Sequence, residues 1–136
     1  MGAWAHDTFD NDTACDWAFS LEEVNDLFLV MQAIARVLET EDGYLDADVA
    51  SEGLAACEVI ARLKGNWGAR NAYTEPVDKW VASHPIAVSP ALVDQATAVI
   101  DRVLSPPSEL RDLWEDGKEP QEWHNAVSNL RARVIG

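Results

Sequence analysis

Apolar and polar positions follow a helical period along almost the whole chain. Seven stretches carry apolar side chains at spacings of three and four residues, as amphipathic helices do. These stretches cover roughly 12–21, 25–39, 48–64, 75–83, 90–104, 108–116 and 120–134. None shows the strict alternation or the β-branched enrichment of a sheet strand. The sequence therefore predicts an all-α fold, with residues 1–136 forming a single domain of about six to seven short-to-medium helices.

The stretch 25–39 is the most uniformly apolar of the predicted helices. Its polar positions form only a narrow stripe of Asn25, Gln32 and Arg36. A helix that is apolar around nearly its whole circumference is normally buried. We therefore expect the helix near 25–39 to lie at the centre of the domain, with the other helices packed around it.

Several residues are typical of helix ends. Asn11 or Asp12 is expected to cap the first helix, since a short polar side chain there accepts from free backbone N–H groups. Gly43 and Gly65 are expected to end the second and third helices. Within the third helix, Glu58 and Arg62 are one turn apart and can form an ion pair.

The net charge of −14 is distributed unevenly. Residues 1–58 contain 14 acidic residues and a single base, Arg36, whereas residues 59–136 contain 10 acidic and 9 basic residues. A field of this sign repels phosphates and anionic lipid, so direct binding to nucleic acid or to a membrane is not expected. It attracts basic protein surfaces, and a basic protein is the predicted partner.

The sequence also indicates a compartment. Its longest apolar run, residues 27–31, is far shorter than a membrane helix requires, and the N-terminus lacks the features of a secretory signal. Of the two cysteines, Cys57 lies in an apolar stretch and Cys15 among acidic residues that disfavour its thiolate. We expect a cytoplasmic protein that needs no disulfide.

The opening of the chain fits a known pattern, Met-Gly-x-Trp-Gly-x-Gly-x-Phe-x-Asn-Asp-x-Ala-x-Asp-Trp. The matching residues are Met1, Gly2, Trp4, Phe9, Asn11, Asp12, Ala14, Asp16 and Trp17. With similar segments at 43–65, 108–116 and 122–123, the chain resembles an uncharacterised bacterial family of domains of unknown function. The resemblance implies a small bacterial helical domain and brings no activity with it. Ala5 and Asp7 replace two glycines of the pattern, which disfavours a glycine-lined anion site there.

The segment WAHDTFDNDTACDW, residues 4–17, has two interpretations. In the favoured one, Asn11, Asp12 and Asp16 cap and stabilise the start of a helix. In the alternative, the segment binds a divalent metal and forms the centre of a small metal-binding protein or metal-dependent enzyme. Its spacing fits no established ligand pattern. The ligands of that alternative would be His6, Asp7, Asp10, Asp12 and Asp16.

The second acidic segment, 39–48, is the predicted contact surface for the partner. It does not fit a calcium-binding loop, because placing Gly43 at the turn puts Leu38 and Val49 at the first and last ligand positions. Farther along the chain, the loop 64–71 contains Trp67, either an exposed interface residue or a lid over the core. The predicted contact residues are Glu39, Glu41, Asp42, Asp46, Asp48 and Trp67.

The sequence contains no Gly-x-Ser-x-Gly, Walker loop, dinucleotide fingerprint, His-Glu-x-x-His or Cys-x-x-Cys motif. The leading hypothesis is therefore a non-enzymatic interaction protein without a cofactor, comparable to an immunity-type inhibitor or a nucleic-acid mimic. The metal hypothesis is the main alternative, and a homo-oligomeric structural module is a third.

Overall fold

The computed structural model describes residues 7–117 and 120–136. Those residues form seven α-helices and one short 3-10 turn, with no β-strand, so the predicted all-α fold is confirmed. The helices are α1 (Asp12–Ser20), α2 (Phe28–Leu38), α3 (Ala47–Leu63), α4 (Glu75–Ser83), α5 (Pro90–Val103), α6 (Glu109–Glu115) and α7 (Pro120–Ile135). The 3-10 turn, Leu21–Glu23, follows α1 directly.

The centre of the fold is α3 and not the predicted helix near 25–39. Twelve of the 17 residues of α3 are buried, and α1, α2, α4, α5, α6 and α7 all contact it. Much of its surface consists of small side chains, among them Ala50, Ala55 and Ala56. Small side chains let neighbouring helices approach closely, so a helix of modest hydrophobicity occupies the most buried place.

The helix α2 instead lies at the surface with one face buried. Val30, Ile34 and Val37 point into the core. Phe28 and Met31, at the opposite positions, are 62% and 53% exposed. The prediction that the segment 25–39 is central was therefore wrong, because apolar residues also occupy its outer face.

Gly53 allows the close packing at the middle of α3. A Cβ atom at this position would lie 2.6 Å from Cγ2 of Val37 on α2 and 3.2 Å from Cγ1 of Val99 on α5. Both distances are shorter than ordinary carbon contacts. A glycine is therefore required where three helices meet, despite its low helix propensity.

The helix ends agree with the sequence in two of three places. Asn11 caps α1, since its Oδ1 accepts from the backbone N–H of Ala14 at 2.8 Å. Gly65 ends α3 with a left-handed φ of 86°. The expectation for Gly43 was wrong: α2 ends at Leu38, and Glu41 takes the left-handed conformation with a φ of 50°.

Candidate functional site

The segment 39–48, called here the acidic loop, connects α2 to α3. Its acidic side chains all point to solvent, as the sequence predicted. They belong to Glu39, Glu41, Asp42, Asp46 and Asp48. The segment therefore exposes five carboxylates within ten consecutive residues.

Arg102 of α5 holds the backbone of the acidic loop in place. Its Nε donates to the carbonyl of Glu41 at 2.9 Å, and its Nη2 donates to the carbonyl of Gly43. The same guanidinium also donates to the carbonyls of Ser105 and Pro107, at 2.9 and 3.0 Å. Arg102 thus bridges the acidic loop and the 105–107 segment through four main-chain oxygens.

The end of the acidic loop is fixed by further hydrogen bonds. The N–H of Leu45 donates to the carbonyl of Pro107 at 3.1 Å, and the N–H of Glu109 donates to the carbonyl of Leu45 at 2.9 Å. The carboxylate of Glu109 accepts from the N–H of Ala47 at 2.8 Å. The loop is therefore tied to the start of α6 as well as to α5.

The five acidic side chains of the loop fall into two groups. Asp46 caps α3 by accepting from two backbone N–H groups, and Asp48 accepts from the hydroxyl of Thr13 at 2.9 Å. The side-chain carboxylates of Glu39, Glu41 and Asp42 have no hydrogen-bond or ion-pair partner among residues 7–117 and 120–136. These three carboxylates are exposed to solvent.

Trp67 is separated from the acidic loop by the length of α3. The loop precedes the first turn of α3 and Trp67 follows its last turn, about 25 Å away along a helix of this length. The indole is half-buried against the core, and the guanidinium of Arg70 lies 4.5 Å from its ring centroid. This position fits the predicted lid over the core, and a partner contact by Trp67 stays a prediction.

Near the same end of α3, four charged side chains form what we call the buried ion network. Glu58 and Arg62 form the predicted pair one turn apart. Arg62 also donates to Asp78 of α4 at 2.8 Å, and Arg133 of α7 donates to both oxygens of Glu58 at 2.8 and 3.2 Å. The network therefore joins three helices through charge-assisted hydrogen bonds.

Opposing effects act on the pKa of Glu58. Burial alone would raise it, because a carboxylate loses hydration in the interior. The hydrogen bond from Arg133, the charges of Arg62 and Arg133, and the hydroxyl of Thr8 lower it, and the net pKa lies below the ordinary value. Glu58 is thus held in its charged form.

A cavity of about 460 Å³ opens beside the buried ion network. Its walls come from residues 7–10, α3, the loop 69–74 and α7. Most of the lining side chains are polar, including Glu58, Arg62, Arg133 and three asparagines. This cavity was not predicted from the sequence. The Glu58–Arg62 spacing was a signal for part of it, but Arg133 lies 75 positions from Glu58.

The N-terminal acidic segment is partly described. His6 of the alternative metal site lies outside the described residues. The carboxylate of Asp10 accepts from the backbone N–H of Asp7 at 3.1 Å, and Asp12 and Asp16 lie exposed on α1. Within the described parts of the chain, no three His, Cys, Asp or Glu side chains form a group suited to a metal ion.

The two cysteines are free thiols. Burial raises the pKa of Cys15, and Asp12, Asp16 and Asp10 raise it further, in agreement with the expected suppression of its thiolate. Cys57 is fully buried in α3, and burial raises the pKa of its thiol well above the ordinary value. Neither thiol has the environment of a nucleophile.

Comparison with known proteins identifies a family. The family model described as "Domain of unknown function (DUF4259)" matches residues 2–126. No curated protein and no solved structure matches the chain. Over the described residues, no helix is both long and apolar enough to cross a membrane. The chain belongs to the DUF4259 family, which confirms the predicted membership in a family of domains of unknown function; bacterial origin stays a prediction.

Proposed function

We propose that this member of the DUF4259 family is a non-enzymatic interaction module that binds a basic protein in the cytoplasm through its acidic loop. The observation that supports the proposal is the exposure of the carboxylates of Glu39, Glu41 and Asp42. Their carboxylates are exposed and without a partner among the described residues, on a backbone that Arg102 holds in one shape.

Charge is what selects the partner in this proposal. The 14 acidic residues of 1–58 generate a long-range field that attracts a positively charged surface and accelerates its encounter. The fixed backbone adds to affinity, because a loop that is already ordered loses little conformational entropy on binding. An immunity-type inhibitor or a nucleic-acid mimic works on these terms, since both present carboxylates to a site that normally accepts phosphates.

The test compares two variants with the same change in net charge. The loop variant carries Glu39→Gln, Glu41→Gln and Asp42→Asn. The control variant carries Glu22→Gln, Glu23→Gln and Asp26→Asn, which neutralise three exposed acids on another part of the same acidic half. Each tagged protein is incubated with a lysate of the organism that encodes it, at low and at high salt, and retained proteins are identified by mass spectrometry.

The expected result is a basic protein that the parent and the control variant retain at low salt and that high salt releases. Its affinity, measured with the purified partner, should fall about tenfold for the loop variant. Two results would contradict the proposal. One is an equal loss in both variants, which would indicate net charge alone. The other is a partner that is acidic or that is retained equally at high salt.

A further inference from the structure

The outer face of α2 carries a stripe of apolar side chains. Phe28 and Met31, one turn apart, are 62% and 53% exposed. Leu27, Ala35 and Leu38 lie beside them and are half-buried. At spacings of three, four and seven residues these five positions form one stripe about 16 Å long, called here the apolar face of α2. Single large apolar side chains are common at a protein surface, whereas a continuous stripe marks a contact surface.

The apolar face of α2 continues directly into the acidic loop. Glu39, the first residue after α2, keeps a helical backbone conformation and follows Ala35 by four positions. Its exposed carboxylate therefore extends the stripe, and Glu41 and the rest of the acidic loop follow at once. The nearby Arg36 adds little free positive charge, because its guanidinium lies 3.3 Å from the carboxylate of Glu52. This surface therefore places carboxylates next to apolar side chains.

Charge and secondary structure restrict what can cover this surface. A second copy would bring two acidic halves together, and residues 1–58 contain 14 acidic residues and a single base, so like charges oppose that association. An extended peptide would have no sheet edge to join, because residues 7–117 and 120–136 contain no β-strand. A helix with one apolar side and flanking lysines or arginines fits both the stripe and the carboxylates.

We propose that the basic partner docks on this protein through an amphipathic helix. The apolar side of that helix covers Phe28 and Met31, and its lysine or arginine side chains lie against Glu39, Glu41 and Asp42. Buried apolar side chains supply most of the affinity in such a contact, whereas the charges speed the encounter and select the partner. The inference rests on the function proposed for the acidic loop, and it adds the apolar part of the interface and the kind of partner segment.

The test measures the binding of a synthetic peptide to the full chain by fluorescence anisotropy. The peptide has about 18 residues, with leucines along one side of a helix and lysines elsewhere. A second peptide has the same composition in an order that spreads the leucines around the helix. The decisive variants, Phe28→Gln and Met31→Gln, replace an apolar side chain without changing the net charge. The matched control is Ile135→Gln, because Ile135 is 51% exposed and lies on α7, which packs against α3, α5 and α6.

The amphipathic peptide should bind the parent one to one, and the reordered peptide should bind at least about tenfold more weakly. Phe28→Gln and Met31→Gln should each weaken binding of the amphipathic peptide about tenfold, whereas Ile135→Gln should leave it unchanged. Equal binding of the two peptides, or an equal loss in Ile135→Gln, would overturn the inference. A parent that sediments as a dimer and becomes monomeric in Phe28→Gln would also overturn it, since a second copy would then cover the apolar face.

The loop variant separates this inference from the function on which it rests. It should weaken binding of the amphipathic peptide as well, because it removes three of the carboxylates that face the lysines. If the loop variant weakens binding and Phe28→Gln and Met31→Gln do not, charge alone recognises the partner, so the inference fails and the proposed function stands. If Phe28→Gln and Met31→Gln weaken binding and the loop variant does not, the function proposed for the acidic loop fails, and the basic partner inferred here fails with it.

Discussion

Glu58→Gln is the substitution that most directly tests the buried ion network. The side chain of Glu58 is only 8% exposed and accepts from Thr8, Arg62 and Arg133. Glutamine has nearly the same shape but carries no charge, and it turns one acceptor into a donor. The substitution therefore leaves two guanidinium groups facing a neutral amide in a poorly hydrated place.

The same helix supplies a matched control. Glu52 also pairs with an arginine, Arg36, at 3.3 Å, but the two side chains are 27% and 53% exposed. Removing one partner of a buried pair costs about 3–5 kcal/mol, whereas an exposed pair contributes about 0–1 kcal/mol. We expect Glu58→Gln to lower the free energy of unfolding by about 3–5 kcal/mol at pH 7, and Glu52→Gln by less than about 1 kcal/mol.

The effect of Glu58→Gln should depend on pH in a defined direction. The pKa of Glu58 in the folded protein lies below its ordinary value of 4.5, which applies to the unfolded chain. A group with a lowered folded pKa stabilises the protein above its unfolded pKa, and that stabilisation is lost as the pH falls through the folded pKa. The difference between parent and Glu58→Gln should therefore be constant near neutral pH and narrow below about pH 4.5.

Urea denaturation followed by circular dichroism, repeated from about pH 7 down to about pH 3, measures both quantities. Comparison of parent with variant removes the contribution of the other carboxylates, which titrate in both proteins. A loss no larger than that of Glu52→Gln at pH 7 would refute the reasoning. A difference in unfolding free energy between parent and Glu58→Gln that does not change with pH would refute it as well.

Three further predictions concern the core, a helix end and the acidic loop. Gly53→Ala should lower the free energy of unfolding by about 1–2 kcal/mol, because overpacking outweighs the gain in helix propensity. Val37→Ala removes the side chain that the new Cβ atom would contact. The losses of unfolding free energy in the double variant, measured by urea denaturation, should therefore be less than additive. Strict additivity would show that the two side chains do not clash. Asn11→Ala should cost about 1 kcal/mol in the same assay through the lost cap, whereas Asn11→Asp should cost almost nothing. Arg102→Ala should speed amide hydrogen exchange in residues 39–46, measured by mass spectrometry, and unchanged exchange there would show that other contacts hold the loop.

Local features of the fold were predictable because they depend on neighbouring residues. The cap at Asn11, the glycine end at Gly65 and the approximate ranges of the helices all follow from short sequence patterns. The predicted end at Gly43 failed for a longer-range reason. Arg102, about sixty positions away, binds the carbonyl of Glu41 and supports a left-handed conformation that glycine would otherwise be expected to take.

The choice of central helix was wrong for a different physical reason. Hydrophobic density favoured the segment 25–39, yet its apolar residues Phe28 and Met31 are 62% and 53% exposed. In α3 the decisive property is small size, as Gly53 shows by its contacts to two other helices. A periodic pattern gives the direction of an apolar face, but it does not give the distance at which a neighbour can pack.

Of the two candidate sites, only the one formed by neighbouring residues was predictable from the sequence. The exposure of the acidic loop was predictable, because a run of carboxylates between two helices has little alternative to solvent. The cavity was not predictable, because its walls come from parts of the chain that are distant in sequence. These parts are α3, α7, residues 7–10 and the loop 69–74. Glu58 and Arg62 were recognised as a pair, but their burial depends on Arg133 and Asp78.

The hydrogen bonds from Arg102 support the backbone conformation of the acidic loop without involving the loop's side chains. All four oxygens that this guanidinium binds belong to the main chain, so they persist whichever side chains the loop carries. Part of what determines the loop conformation thus lies on α5, outside the loop itself. Relatives that keep the arginine can exchange Glu39, Glu41 or Asp42 for other residues and still display them on the same framework. The loop is a place where new specificity can evolve, or be grafted by design, without refolding the protein.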